Sequence, residues 1–299
     1  MVDRAIKAGY TWVVDADIRA FFDTVDHEKL IDAVAEEVSD GRILMLIRQI
    51  LKSGVQLPSV NGTDPTDNGT PQGGPISPLL ANIYLHNFDV QMVAAGYGLL
   101  RYADDWVVFT KSESESSTAL ELARQILEGQ CGLELHPEKT RVVSAASGFE
   151  FLGFRYFVSA KSGTQCKEVR PSSVRRFRAA IRARTPRLIS QKPFKERHAT
   201  LKRLRKNKHL AQIIVSVNSY LSGWHGYFKT IQSQYSEPYR MFDGYVRARL
   251  RACVTGRTGP GWWNVKLSNA MWSQLGLRTL SDRHETYLRH QTPVALRKG

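Results

Sequence analysis

The stretch "RYADDWVVF" (Arg101 to Phe109) sets two adjacent carboxylates, Asp104 and Asp105, inside an otherwise apolar run. Leu99 and Leu100 precede it, and Trp106, Val107, Val108 and Phe109 are residues that favour a pleated, half-buried strand. Burying two like charges side by side is costly unless something cancels them. Two readings of the pair are open. Adjacent aspartates make tight hairpin turns, because Asp tolerates unusual backbone angles and hydrogen-bonds its own backbone. They also make metal sites. On either reading the run is strand, turn, strand, which commits this part of the chain to a sheet.

"DADIRAFFDTVDH" (Asp15 to His27) adds a third carboxylate. Trp12, Val13 and Val14 read as a buried strand running into Asp15 and Asp17. If two strands that each end in a carboxylate lie side by side, Asp17, Asp104 and Asp105 converge. Mg²⁺ takes hard oxygen ligands, typically one or two carboxylates plus substrate phosphates. Two such ions about 3.5–4 Å apart stabilise both the attacking and the leaving oxygens of an in-line displacement. On this reading metal cations, rather than neighbouring arginines, neutralise the aspartates.

Elsewhere the pattern is mixed. Asp26 is placed to cap a helix on which Leu30, Val34 and Val38 recur at helical spacing, and Ile43, Ile47, Ile50 and Leu51 suggest a second helix ended by Gly54. Residues 58–75, rich in Pro, Gly, Asn and Asp, read as loop or hairpin. Pro78 suits a first helical turn, with Leu80, Tyr84 and Phe88 on the buried face. "KSESESST" (111–118) reads as a polar loop, Ala119 to Leu127 as a helix, and "FLGFRY" (Phe151 to Tyr156) as a strand pair or strand edge. Beyond it the pattern is almost entirely helical.

Charge divides the chain. The net charge is +14 and the pI about 9.8, which points to a polyanionic partner, nucleic acid before a membrane surface. From Arg170 to Lys208 there are fifteen Lys or Arg against one acid, Glu196, too lopsided for an ordinary solvated face. Val174, Phe177, Ile181 and Leu188 share one helical face there, and Arg175, Arg178 and Arg182 share another, an arginine stripe of the kind that tracks phosphates. Tyr220, Trp224, Tyr227 and Phe228 could stack on bases, but their spacing is also that of a helix core stripe, the reading preferred for most of them. No apolar run approaches the ~20 residues that span a bilayer. The N-terminus has no signal-peptide pattern. Cys131, Cys166 and Cys253 lie far apart and suggest neither a zinc site nor a disulfide framework, so a reducing, cytoplasmic setting fits.

Taken together, "DIRAFFD", "TPQGGPISPLLANIYL", "YADD", "FLGFRY" and "VNSYLSGWHGYFK", in this order, resemble the group II intron reverse transcriptases, also called maturases. The match runs from about residue 10 to about 250. The resemblance implies an α+β fold: a reverse-transcriptase palm with a mixed sheet and packed helices over residues 1–160, then an all-α thumb and maturase-specific X domain over 161–255. A tail, 256–299, has no assigned role. It implies RNA-directed DNA synthesis with two Mg²⁺ ions, a DNA primer, dNTPs and a template that is group II intron RNA or another RNA.

Position by position, Asp17 resembles the first catalytic aspartate, Asp104 the second and Asp105 the third, more peripheral acid. The carbonyl of Ile18 would be a further metal ligand. Phe22 matches the steric-gate position that excludes a ribose 2′-hydroxyl, with a core aromatic as the plainer reading. Gln72 and Gly73 match the loop against the incoming nucleotide. Lys139 of "LHPEKT" matches the lysine that serves the leaving pyrophosphate, with a solvated helix-end lysine as the plainer reading. Asp15, Asp23, Asp26 and His27 read as structural.

Against the family pattern, only sixteen residues precede Asp17, so the fingers region is expected to be largely absent and the reading frame N-terminally truncated. A fingers-containing polypeptide is then an expected partner. The rival expectation is a non-catalytic RNA-binding maturase, or an inactive fragment of a mobile element. The tail carries no Cys-rich endonuclease signature, and DNA cleavage is not expected.

Overall fold

The computed structural model describes residues 2–52, 68–70, 74–159, 163–186, 201–231, 238–255 and 267–291. Two compact units divide the chain, Met1–Gln165 and Cys166–Gly299.

In the first unit, a short helix α1 (Val2–Lys7) leads into β1 (Trp12–Asp17). Three more strands complete a sheet: β2 (Gly98–Tyr102), β3 (Asp105–Thr110) and β4 (Arg141–Ser144), in the order β2-β3-β1-β4. All three pairings are antiparallel, so the mixture in this unit is of helices and strands rather than of strand directions. The register sorts the side chains, because successive residues point to opposite faces. Val14, Ala16, Ile18, Trp106 and Val108 take the face that builds the main core. Val13, Asp15, Asp17, Asp105, Val107 and Phe109 take the other. There Phe109 meets Phe149 of a hairpin, β5 (Phe149–Phe151) and β6 (Phe154–Val158), with ring centroids 5.8 Å apart.

Helices supply the other half of the core: α2 (Phe21–Thr24), α3 (His27–Ala35), α4 (Gly41–Lys52), α5 (Ser77–Tyr84), α6 (His86–Ala94) and α7 (Glu113–Arg124), the last running into a π-helical turn, Gln125–Gln130. Asp26 caps α3 as its sequence suggests, its carboxylate accepting from the amides of Glu28 and Lys29. Val38 lies beyond the end of that helix but still packs against the core, while Ile43 on α4 is exposed. Gly54, expected to end α4, and most of 58–75 lie outside the described residues.

The "KSESESST" segment is helical rather than a loop. Ser112 Oγ accepts from the amide of Glu115, and the Glu115 carboxylate accepts from the amide of Lys111, a reciprocal cap of the Ser-x-x-Glu type. The helix buries Ser116, Ala119 and Ala123, small side chains that let it lie close on β1, β3 and β4. Small residues leave little hydrophobic periodicity to read.

Among its described residues the second unit is helical apart from the end of β7 (Gln165–Val169), a strand that the sequence pattern did not suggest. Its helices are α8 (Pro171–Arg184), α9 (Leu201–Arg205), α10 (Lys208–Phe228), α11 (Arg240–Thr255), α12 (Asn269–Gln274) and α13 (Leu280–Gln291). Phe177 of α8, Trp224 of α10 and Phe242 of α11 form its aromatic centre, with centroids 4.7–5.0 Å apart. Trp224 and Phe228 are buried, Tyr220 half-buried and Tyr227 exposed, which puts most of this stripe in the core. Leu188, assigned to the apolar face of α8, lies outside the described residues.

Residues 280–291, part of the tail without an assigned role, form a helix packed on α10 and α11. Asp243 of α11 holds its start: the buried carboxylate accepts from the amides of Leu280 and Ser281 and from the Ser281 hydroxyl. A negative charge at a helix N-terminus satisfies its free amides and complements its dipole. Removing the acceptor leaves those donors buried, at about 1–3 kcal/mol each. Asp243→Ala is therefore expected to destabilise the second unit by about 3 kcal/mol on that scale, measured by urea unfolding. A midpoint equal to that of the parent would show that α13 does not depend on this cap.

Candidate active site

The site forms where β1 and β3 end together. Asp17 and Asp105 are direct cross-strand partners, so their side chains share the sheet face opposite the main core. Asp104 sits in the two-residue turn between β2 and β3, after Ala103, which adopts a left-handed backbone at φ 56°. The Asp-Asp pair thus makes the hairpin turn and sets Asp105 across from Asp17 at the same sheet end.

Burial pushes the Asp104 carboxyl above the ordinary range, and the charge on Asp17 pushes the same way. A hydrogen bond from its own amide and the charge on Lys139 pull it down. Asp105 accepts from the amide of Leu152 at 3.5 Å, a long bond from the β5–β6 turn.

Lys139 arrives on the loop before β4. His136 donates its amide to the carbonyl of Asp17 at 2.8 Å, and the amides of Lys139 and Thr140 fold back on His136, which fixes the loop beside β1. The Lys139 ammonium then lies 2.5 Å from Asp17 Oδ2. Arg141 pairs with Asp15 at 2.8 Å, yet burial still raises the Asp15 carboxyl above its usual value. Lys139 thus shares in neutralising Asp17, while Arg141 pairs with Asp15, an acid read as structural.

Ile18 forms an isolated bridge with Leu135. Its two hydrogen bonds run from the Arg19 amide to Glu134 and from the His136 amide to Asp17, so they use neither the amide nor the carbonyl of Ile18. Among the described residues, no three His, Cys, Asp or Glu side chains stand together as a ready metal site. The donor set nonetheless fits Mg²⁺: hard carboxylate oxygens, one of them held above its ordinary range chiefly by burial, in the small number that this ion takes from protein when phosphates complete its shell.

Phe22 is half-buried and meets Phe21 edge-on at 5.2 Å, while Phe21 is fully buried against Tyr84. The chain returns beneath Phe22 at residues 68–70. Thr70 donates its amide to the Phe22 carbonyl at 2.6 Å, Gly69 donates to Val25 at 2.7 Å, and the buried His27 ring contacts the Gly69 carbonyl through Nε2 at 2.6 Å. Gly69 is required there: its φ is +90°, and a Cβ would stand 2.9 Å from the Phe22 carbonyl oxygen. Gln72 and Gly73 lie outside the described residues. Arg175, Arg178 and Arg182 are exposed on α8 in the second unit, with Arg178 placed over the Tyr245 ring at 5.7 Å.

One residue escaped the sequence reading. Arg101 of β2 is 8% exposed and grips the Asp89 carboxylate with two nitrogens, Nε at 2.6 Å and Nη2 closer still. Its third nitrogen donates to Asn82 Oδ1 at 3.1 Å and to the Ala103 carbonyl at 2.9 Å. It thus ties α5 and α6 to the turn that carries Asp104. The signal was available, since Arg101 occupies the core-facing side of a strand, where a charge needs partners.

Residues 2–156 match the family described as reverse transcriptase (RNA-dependent DNA polymerase). With more than half its length inside that match, the chain belongs to the reverse transcriptase family. Residues 191–266 match the group II intron, maturase-specific domain. Protein YkfC of Escherichia coli (strain K12) is 32% identical over 48% of this chain and 46% of its own length. The group II intron-encoded protein LtrA of Lactococcus lactis subsp. cremoris is 44% identical over 27% of this chain and 13% of its own. The chain thus spans less than half the length of these relatives. A solved apo telomerase from Candida Tropicalis aligns with a TM-score of 0.44 at 15% identity, over 56% of this chain and 39% of that one, a likeness too weak to bear on fold or function. Among the described residues, no helix is long and apolar enough to cross a membrane.

Proposed function

We propose that this chain carries the catalytic palm of an RNA-directed DNA polymerase of group II intron type, with a helical unit that binds RNA. The observation that carries the reading is the opposition of Asp17 and Asp105 at one sheet end, beside Asp104 in its turn and Lys139 against Asp17. Asp17 and Asp104, with the Ile18 carbonyl and Asp105 more peripherally, would hold two Mg²⁺ ions. When bound, such ions lower the charge on a primer 3′-oxygen and on the leaving oxygen. The aspartates orient the triphosphate and the primer terminus. Lys139, already ion-paired in the site, exchanges Asp17 for phosphate oxygens and neutralises or protonates the departing pyrophosphate. Gln72 and Gly73 would line the nucleotide. Intron RNA, or another RNA template, a DNA primer and dNTPs are the substrates this reading requires.

Primer extension on an RNA template, with dNTPs and Mg²⁺, tests the proposal. Elongation supports it. RNA binding without elongation would return the chain to a non-catalytic maturase role.

Phe22 is expected to act as the gate against ribonucleotides. Phe22→Val should raise rNTP incorporation relative to dNTP by roughly tenfold or more, on the scale of a lost steric contact. If the parent already accepts rNTPs freely, or the variant unfolds without gaining them, Phe22 is a core residue only.

The stripe on α8 is expected to contact phosphates and not bases. Replacing Arg175, Arg178 and Arg182 by Ala should weaken a structured and a random RNA alike. It should also cut the log–log salt slope by about two to three units, at 0.7–0.9 for each phosphate contact. An unchanged slope for both RNAs would place the binding surface elsewhere.

A further inference from the structure

A cavity of about 580 Å³ opens between α10 and α13. It belongs wholly to the second unit, and the α13 side lies beyond both family matches, which end at residues 156 and 266. Its wall gathers three fixed cations, Lys229, Arg278 and Arg283, with His225 and His290. The one acid on the wall is Asp282, whose carboxylate already accepts from the amide of Thr279 at 3.0 Å. Among the described residues, no ion pair neutralises Lys229, Arg278 or Arg283.

Arg283 donates through Nη2 to the Asn218 carbonyl at 3.1 Å, and Thr286 donates to the Asp282 carbonyl at 2.9 Å. Arg283 Nε and His225 Nε2 are buried without a hydrogen-bond partner. The charges also act against one another. Burial lowers the Arg283 guanidinium and Arg278 lowers it further, with Asp282 opposing them, while burial and then His284, Arg283 and Lys229 hold His225 down at about 4. An aromatic face completes the wall, with the Lys229 ammonium 5.0 Å from the Tyr287 ring centroid.

Positive charge that burial disfavours, the Ser222 hydroxyl and an aromatic ring ask for an anion with an organic body. The volume falls within the range of small-ligand sites, about 300–1,000 Å³. We propose that this cavity binds one nucleotide, its phosphate held by Lys229, Arg278 and Arg283 and its nucleoside lying toward Tyr287. The nucleotide is either free or one unit of a bound strand. The site is independent of the palm chemistry, so its test does not stand or fall with primer extension.

The test follows the imidazole Cε1–H resonance of His290 in the full chain, assigned by its loss in His290→Gln. Uridine 5′-monophosphate is expected to shift it saturably, and uridine is not. A short single-stranded RNA that shifts it at lower concentration than the monophosphate identifies a strand site; the reverse order identifies a free-nucleotide site. Arg278→Glu, at an exposed position, should weaken either ligand at least tenfold. Ser222→Glu puts a carboxylate into the same wall from the other helix and should do likewise, so one folded variant suffices. An unshifted resonance with both ligands overturns the proposal. So does an equal response to uridine, or undiminished binding by a folded variant.

Discussion

Asp104→Asn is expected to abolish DNA synthesis while leaving RNA affinity nearly unchanged. The substitution keeps the shape of the side chain and removes its charge. Metal-assisted displacement draws several kcal/mol of transition-state stabilisation from the ions that such carboxylates hold. At 1.36 kcal/mol for each factor of ten, the loss should be about a thousandfold or more. RNA affinity should survive because the arginine stripe belongs to the other unit.

The same variant should be at least as stable as the parent, which sets it apart from simple damage. Burial and Asp17 raise the Asp104 carboxyl, so the folded state disfavours its charged form. For a carboxyl raised on folding, stability increases as pH falls through the folded value toward the ordinary one. A neutral Asn should show no such increment. Primer extension, RNA titration and thermal melts on one preparation decide the matter. Equal loss of synthesis and RNA binding, or a lowered melting temperature, would sink this division of labour.

The parts of the site readable in advance are those whose signal is local. Trp12 to Asp17 shows its strand by β-branched and aromatic content, Asp26 shows its cap by position, and the Asp-Asp turn shows itself by interrupting an apolar run. What could not be read is what tertiary packing decides. The pairing of Asp17 with Asp105 depends on the β1–β3 register, which one residue of slip would invert. The partner of Lys139 lies 122 positions away in the chain. The helix at Glu113 packs through Ser and Ala, so its polar residues carry the pattern of a loop. Leu80, Tyr84 and Phe88 do share a buried surface, but across a break at Leu85 that divides α5 from α6.

Arg101→Ala is expected to cost both stability and synthesis. Its guanidinium is nearly buried and satisfies the Asp89 carboxylate, Asn82 and the Ala103 carbonyl together. Breaking a buried pair by removing one member costs about 3–5 kcal/mol, because the other charge is left uncompensated. Asp89 keeps 30% of its side chain in solvent, which favours the lower end, about 3 kcal/mol. For a unit of this size that lowers the melting temperature by roughly 6–12 °C. Synthesis should fall beyond what unfolding explains, because Ala103 holds a left-handed conformation one residue before Asp104 and loses the donor that braces it. Arg101→Lys keeps the charge but cannot reach three acceptors at once with a planar fork. It should recover much of the stability and little of the rate, with kcat reduced more than KM is raised. Measuring both constants well below the melting transition separates the roles. If Lys restores rate and stability in step, or if Ala loses activity only in proportion to its unfolded fraction, Arg101 is a core ion pair and does not position the turn.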